Sequence, residues 1–266
     1  MQIAIAQSYG VFSHLCPSTV QLTEAGAEFL ARVEPILAAL DDAENSIREN
    51  GDLRGLLRIG MPSTMGIRVV IPRLAAFTDR HPLLHVELLL EDQWQDMVKE
   101  AVDVGIRVGS LPDLAGTAKQ IGTMRRVIVA SPHYLERHGT PATPADIEQH
   151  RIVGGPAGSH VSSWKFARDG DEVSINLNPM VSTNDTAGAL AAAVGGLGIA
   201  STTSWACHME IESGALVSVL PEWKMAELPV HAYFPMGRTT RMAARAFVDF
   251  LSTVLASDPQ HFGPLK

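Results

Sequence analysis

The sequence has few cysteines and no long apolar run, and both absences restrict the class of protein. Only Cys16 and Cys207 occur among 266 residues, far apart and without a CxxC pair. This pattern provides no cysteine knuckle for a metal and fits a reducing compartment. No segment reaches the roughly 18 consecutive apolar residues that a membrane span needs. We therefore expect a cytoplasmic protein with no membrane partner.

Charge is missing from the beginning of the chain. Residues 1–21 contain no Asp, Glu, Lys or Arg. An export signal needs a positively charged segment before its apolar core, so the composition argues against secretion. The whole chain has a net charge of −8, and any contact with DNA would therefore need a local basic patch.

Motifs for catalysis are also absent from the sequence. Gly195, Gly196 and Gly198 end a predicted helix instead of opening one, so they do not form a dinucleotide-binding turn, and neither a P-loop nor a G-x-S-x-G elbow occurs. The ten histidines are scattered without a metal-binding spacing. We expect no catalytic residue, no metal site and no cofactor.

A helical apolar seam lies between Leu22 and Gly51. Its positions are spaced 4, 3, 4, 3 and 4 residues apart: Phe29, Val33, Ile36, Leu40, Ala43 and Ile47. This spacing predicts a helix that buries one narrow stripe against a partner. Pro35 removes a backbone hydrogen bond, which predicts a kink or two shorter helices. Because the seam spans under three heptads, packing against its own domain is the alternative.

Strands and helices alternate from Leu56 onward. A strand over 56–60, a loop over 61–66, a helix with Val70, Ile71, Leu74, Ala75 and Phe77 inward, a strand over 85–90, a helix over 92–100 and a strand over 102–108 follow in that order. This order predicts a parallel sheet covered on both faces. Further along, strands over 164–168 and 172–181 flank an Asp169-Gly170 turn, and helices are predicted over 184–194 and 242–255. The expected fold class is α/β with two lobes.

Two predicted strand ends carry hydroxyl groups that lead into helices. Ser63 and Thr64 provide one such site, and the segment Ser182-Thr183-Asn184-Asp185 provides the other. Free backbone N–H groups at a helix start bind anions, although either segment alone could simply be a helix cap. If the two segments face each other across a cleft, they predict a site for a small carboxylate.

A series of short motifs along the chain resembles one family. They are Val20–Gly26 with Phe29 and Leu30, Gly55-x-Leu57-Arg58-Ile59, Pro72-x-Leu74 with Phe77, His81-Pro82, Val86–Leu88, Val98 with Asp103–Gly109, Val129–Pro132 with Tyr134 and Leu135, Gly139-x-Pro141-x-x-Pro144, Asn184-Asp185, Gly196–Ala200 and Leu220-Pro221-x-Trp223. In this order they cover residues 20–266, and together they resemble LysR-type transcriptional regulators.

The resemblance implies a winged helix-turn-helix, a dimerising linker helix and a two-lobed effector domain. That domain would be like a type 2 periplasmic binding protein that closes on a small co-inducer. By position, the linker would be 22–51 and the effector domain 52–266, with lobe one at about 56–129 plus 231–266 and lobe two at about 130–230. The implied co-inducer contacts are Ser63, Thr64, Gly109, Ser110, Thr183, Asn184 and Ser201. The implied partners are promoter DNA and further copies of the chain, in a homodimer or tetramer.

The chain departs from this family at its beginning. Only 21 residues precede Leu22, and the first basic side chain is Arg32. Because Lys and Arg supply the phosphate contacts that hold DNA, we expect residues 1–21 to be a degenerate remnant of the DNA reader. DNA binding would then be weak or lost, through a truncation, a frame shift or a misassigned start. The alternatives are a stand-alone small-molecule binding protein, either a cytoplasmic sensor or an exported solute carrier, and an enzyme on this scaffold.

Overall fold

The computed structural model describes residues 12–16, 19–22, 25–26, 28–29, 32–33, 36, 53–92, 100–111, 116–156, 163–235, 240–259 and 261–263. Near the beginning, β1 (Phe12–Cys16) and β2 (Thr19–Leu22) form an antiparallel hairpin. The described positions between 25 and 36 are helical. The predicted seam residues Leu40, Ala43 and Ile47 and most of the predicted helix over 92–100 lie outside the described residues.

The first lobe is built on a six-stranded mixed sheet with the order β16-β6-β15-β5-β3-β4. Its strands are β3 (Arg54–Met61), β4 (Leu83–Leu90), β5 (Val104–Val108), β6 (Thr117–Met124), β15 (Leu228–Phe234) and β16 (Phe262–Gly263). The parallel pairing of β3 with β4 and β5 confirms the predicted parallel arrangement. However, β15 joins the sheet antiparallel to β5 and β6, so the complete sheet is mixed.

The second lobe is built on a five-stranded sheet with the order β11-β8-β12-β7-β13. Its strands are β7 (Arg126–Ala130), β8 (Ile152–Gly154), β11 (Pro179–Ser182), β12 (Ile199–Thr203) and β13 (Val217–Val219). A small sheet of β9 (Ser163–Arg168), β10 (Asp171–Asn176) and β14 (Lys224–Met225) contributes Trp164 and Phe166 to the core of this lobe. At Gly198 a Cβ would lie 2.3 Å from the carbonyl oxygen of Arg151. A residue without a side chain is therefore needed here, because the backbone before β12 lies very close to the backbone before β8.

The chain passes between the two sheets at two neighbouring places. It enters the second sheet at Arg125, between β6 and β7, earlier than the boundary expected after residue 129. It returns to the first sheet at Leu228, where β15 begins, and Leu228 is paired with Met124 across the β15–β6 ladder. Both connections between the sheets therefore meet the first sheet at the same pair of opposed residues, Met124 and Leu228.

The predicted strand over 172–181 is wrong in one respect, because it is two strands. β10 ends at Asn176 and pairs with β9, whereas β11 begins at Pro179 and pairs with β8 in the other sheet. Proline has no N–H group for a ladder, so a strand breaks or begins there. The turn itself is as predicted, since Asp169 and Gly170 have φ values of 53° and 95°, as a tight two-residue hairpin requires.

The helical segment after β3 begins earlier than predicted and is irregular. Short α1 (Ser63–Met65) occupies part of the predicted loop over 61–66, and it continues as a π-type turn (Gly66–Val70) and a 3₁₀ turn (Ile71–Arg73) before α2 (Ala75–Thr78). Pro72 lacks the N–H that a regular helix would use. The wider turn rotates the buried face, so Val70 and Phe77 are buried as predicted, whereas Ile71 and Ala75 are exposed.

The remaining helices are α3 (Pro132–His138), α4 (Thr186–Val194), α5 (His208–Glu212) and α6 (Met242–Ala256), with a 3₁₀ turn at Pro144–Gln149. One continuous apolar core includes Phe77 and Phe247 of the first lobe and Leu190 of α4 in the second. The rings of Phe77 and Phe247 meet edge to face at 5.6 Å. The lobes thus pack directly against each other.

In the described part of the chain, every helix falls short of the length and apolar character required to traverse a bilayer.

Candidate functional site

The first predicted anion site lies where β3 ends and α1 begins. The backbone N–H of Ser63 donates a hydrogen bond of 2.8 Å to Oδ1 of Asp92, which follows the end of β4. Thr64 is 3% exposed, and its hydroxyl has no hydrogen-bond partner among the described residues. The backbone at this strand end therefore already binds a carboxylate oxygen, supplied by the chain itself.

The second predicted site lies where β11 leads into α4. Asp185 caps the helix, since its Oδ1 accepts a 2.7 Å hydrogen bond from the N–H of Gly188. Thr186, the first residue of α4, donates from both its backbone N–H and its hydroxyl to Oδ2 of Asp92, each at 2.7 Å. The two strand ends thus face each other, and the Asp92 carboxylate lies between them.

Sequence reasoning missed Asp92. The sequence pattern predicts only that Asp92 begins a helix over 92–100. The available signal was its position, because an acid directly after a strand of a parallel sheet lies at the edge where ligands bind.

The other predicted contact residues have different local roles. The hydroxyl of Thr183 donates to the carbonyl of Asp185 at 2.6 Å within its own turn, and the Asn184 side chain is exposed. The Ser201 hydroxyl accepts a 2.7 Å hydrogen bond from Nη2 of Arg126. Gly109 adopts a φ of 94°, and Ser110 after it is exposed. Contact between an effector and these groups is still a prediction.

A buried cation lies beside this acidic junction. Arg107 on β5 is 5% exposed, and burial lowers its pKa. The negative charges of Asp92, Glu91 and Glu100 act on that pKa in the opposite direction. The charged guanidinium of Arg107 is therefore stabilised in part by the negative charge of Asp92.

The lobes are joined a second time by an ion pair. Nη1 and Nη2 of Arg68, in the π-type turn of lobe one, each donate to a carboxylate oxygen of Glu210 in α5 at 2.6 Å. Nη1 of Arg68 also donates to the carbonyl of Ala206. The hydrogen bonds from Arg68 lower the pKa of Glu210, so the pair is ionised at neutral pH.

Within the described ranges, no three His, Cys, Asp or Glu side chains are grouped in a way that could hold a metal ion. The Cys207 thiol is buried, and burial raises its pKa to about 12. Such a thiol stays protonated at neutral pH and is a poor nucleophile.

The fold and the junction define a two-lobed α/β effector domain whose lobes meet at the ends of their strands. Residues 50–256 match the LysR substrate binding domain. The chain belongs to the LysR family of transcriptional regulators, as the resemblance predicted.

Related proteins agree with this assignment. The chain is 33% identical over 217 residues to an uncharacterized HTH-type transcriptional regulator of Haemophilus influenzae, which covers 81% of this chain and 75% of that protein. It is 30% identical over 253 residues to an HTH-type transcriptional regulator of Xanthomonas campestris pv. campestris, covering 93% of this chain and 74% of the other.

Solved structures give the same fold. The full-length virulence activator AphB of Vibrio cholerae, a member of the LTTR family, aligns with a TM-score of 0.65 at 25% identity over 94% of this chain and 86% of that one. CrgA of Neisseria meningitidis aligns with a TM-score of 0.67 at 22% identity over the same shares of the two chains.

Proposed function

We propose that this regulator is controlled by a small carboxylate that binds between its two lobes. The observation that supports it is the position of the Asp92 carboxylate, which accepts hydrogen bonds from Ser63 of one lobe and Thr186 of the other. A junction that binds one carboxylate through backbone N–H groups has the geometry to bind another, and hydrogen bonds to a charged acceptor are the strong ones. Ser63, Thr64, Gly109, Ser110, Thr183, Asn184 and Ser201 remain the proposed lining of this site.

The experiment is a thermal unfolding titration with small carboxylates and their neutral amide analogues. A carboxylate at a hundred times its Kd should stabilise the protein by about 2.7 kcal/mol, or roughly 5–10 °C in Tm, whereas the matching amide should not. Thr186→Pro should abolish this shift, because it removes both Thr186 donors while proline fits the first turn of α4. The exposed Ala191→Ser on the same helix is the control. Equal shifts with carboxylates and amides would exclude the anion-specific site.

The seam at the start of the chain supports a homodimer or higher oligomer. Phe29 is 51% exposed and Ile36 is 66% exposed, while Val33 is half-buried. Apolar side chains at a/d spacing that remain exposed within one chain are available to pack against a second copy. We infer that this segment is the dimerisation helix, in a cytoplasmic protein without catalytic activity.

DNA binding by this 266-residue chain should be weak or absent. Residues 1–31 contain no Lys or Arg, so the segment before the seam contributes no cationic contact to phosphates. An electrophoretic mobility shift assay with its own upstream DNA at physiological salt should therefore show no complex. A shifted band that weakens steeply as salt rises would contradict this expectation. If carboxylates bind while DNA does not, the chain acts as a stand-alone sensor.

A further inference from the structure

Asp92 joins the two lobes through three hydrogen bonds to one carboxylate. Oδ1 accepts from the backbone N–H of Ser63 at 2.8 Å, and Oδ2 accepts from the N–H and hydroxyl of Thr186 at 2.7 Å each. Ser63 and Thr186 lie in different lobes, far apart in sequence. Because each bond has an ionised acceptor, the set is stronger than neutral hydrogen bonds of the same number.

The same carboxylate occupies the position that the proposed effector would need. A small carboxylate cannot receive the N–H groups of Ser63 and Thr186 while Asp92 accepts both. We propose that Asp92 is an internal ligand that holds the lobes together until an anionic effector displaces its side chain. This inference rests on the proposed function for the class of effector, and on the contacts of Asp92 for the mechanism.

The buried cation near the junction favours an effector that carries negative charge. Arg107 is almost fully buried and lies within the electrostatic influence of Asp92. A buried guanidinium is costly without nearby negative charge. An incoming carboxylate places a further negative charge near this guanidinium, whereas a neutral amide does not. The junction therefore selects an anion over its neutral analogue.

The Asp92 side chain should weaken the affinity of the protein for a free carboxylate. A side chain fixed in the same molecule acts at a high effective concentration, so it weakens the apparent affinity of a free ligand for the same position. Asp92→Ala removes the competitor and leaves a space of the size of its carboxylate group. We expect acetate to bind this variant at least about tenfold more tightly than the wild-type protein, since three charge-assisted hydrogen bonds become available.

The test uses the full chain, acetate and acetamide as probes, and the exposed Asp79→Ala as the control variant. Binding is measured by Tm, and hydrogen exchange is followed at the amides of Ser63 and Thr186. In Asp92→Ala these amides should exchange faster than in wild type, and acetate but not acetamide should restore their protection. Asp92→Asn, which keeps one acceptor, should behave in between and serves if the alanine variant does not fold.

The outcomes separate this inference from the proposed function. Rescue of Asp92→Ala by acetate in a protein whose wild type binds no tested carboxylate supports the internal ligand and removes the carboxylate effector. Carboxylate binding by wild type that is no tighter in Asp92→Ala overturns the internal ligand and leaves the effector site in place. Unchanged exchange at both amides in Asp92→Ala and Asp92→Asn also overturns it.

Discussion

A variant with Val33→Asp and Ile36→Asp is expected to sediment at a lower mass than the wild-type protein at the same concentration, and at half the mass if the wild type is a dimer. Both residues belong to the apolar seam, and the described part of that seam includes exposed Phe29 and Ile36. Placing carboxylates in a two-helix interface forces unpaired charges out of water, at about 3 kcal/mol or more in total. The dimer should therefore weaken by about a hundredfold or more, which sedimentation velocity measures over a dilution series.

The polar face of the same helix provides the control. Arg32 forms an exposed ion pair of 2.5 Å with Glu28, one helical turn away, so Arg32→Asp introduces a carboxylate without touching the seam. Its sedimentation should match the wild type. If the seam variant keeps the wild-type mass, the seam packs within its own chain and the dimer interpretation is wrong.

Glu210→Gln is expected to lower the free energy of unfolding by about 2 kcal/mol at neutral pH. The Arg68 and Glu210 side chains are 22% and 19% exposed, so the pair lies between a surface ion pair worth less than about 1 kcal/mol and a buried pair whose disruption costs about 3–5 kcal/mol. The amide cannot accept both guanidinium hydrogen bonds as a carboxylate does. Urea unfolding measures the difference.

The difference between wild type and Glu210→Gln depends on pH in a defined direction. The pKa of Glu210 is lower in the folded protein than in the unfolded chain, chiefly because Arg68 donates hydrogen bonds to the carboxylate. Its stabilisation is therefore fully present above the unfolded pKa and is lost as pH falls through the lower folded pKa. The gap between the two proteins should begin to narrow near the unfolded value of a glutamate, about pH 4, and should close only as pH falls through the lower folded pKa.

Glu212→Gln is the matched control for this prediction. Glu212 lies in the same helix, α5, and its side chain is exposed beside His208 at 3.2 Å. Its removal should change stability by less than about 0.5 kcal/mol, as for surface positions in general. A Glu210→Gln protein that is as stable as Glu212→Gln at pH 7 would show that the ion pair does not hold the lobes together.

Local sequence patterns predicted most of the elements in these lobes. The Asp169-Gly170 turn, the capped start of α4 and the apolar face of α6 each depend on residues within one or two turns of chain, and all three are found. Apolar periodicity also predicted β3 and β4, with shorter bounds than the structure gives them. These features follow from backbone chemistry that a single segment contains.

The features that sequence alone did not provide depend on distant parts of the chain. The bond from Thr186 to Asp92 spans 94 residues, and that from Arg68 to Glu210 spans 142. β6 was missed because its first half is exposed and polar, and it becomes a strand by pairing with β15 and β16, which lie far along the chain. The sequence therefore indicated both halves of the junction but not the acid that lies between them.

The two chain crossings at Met124 and Leu228 lie at one pair of opposed residues, and we expect this to define the axis of any movement that the proposed effector causes. Two connections that leave the first sheet at neighbouring positions have the geometry of a hinge, whereas the apolar core that both lobes share opposes bending there. When one lobe rotates by a few degrees about such an axis, its atoms move farther the more distant they are from the crossings. We therefore expect a ligand that replaces the Asp92 contacts to change the distance between surfaces far from where it binds.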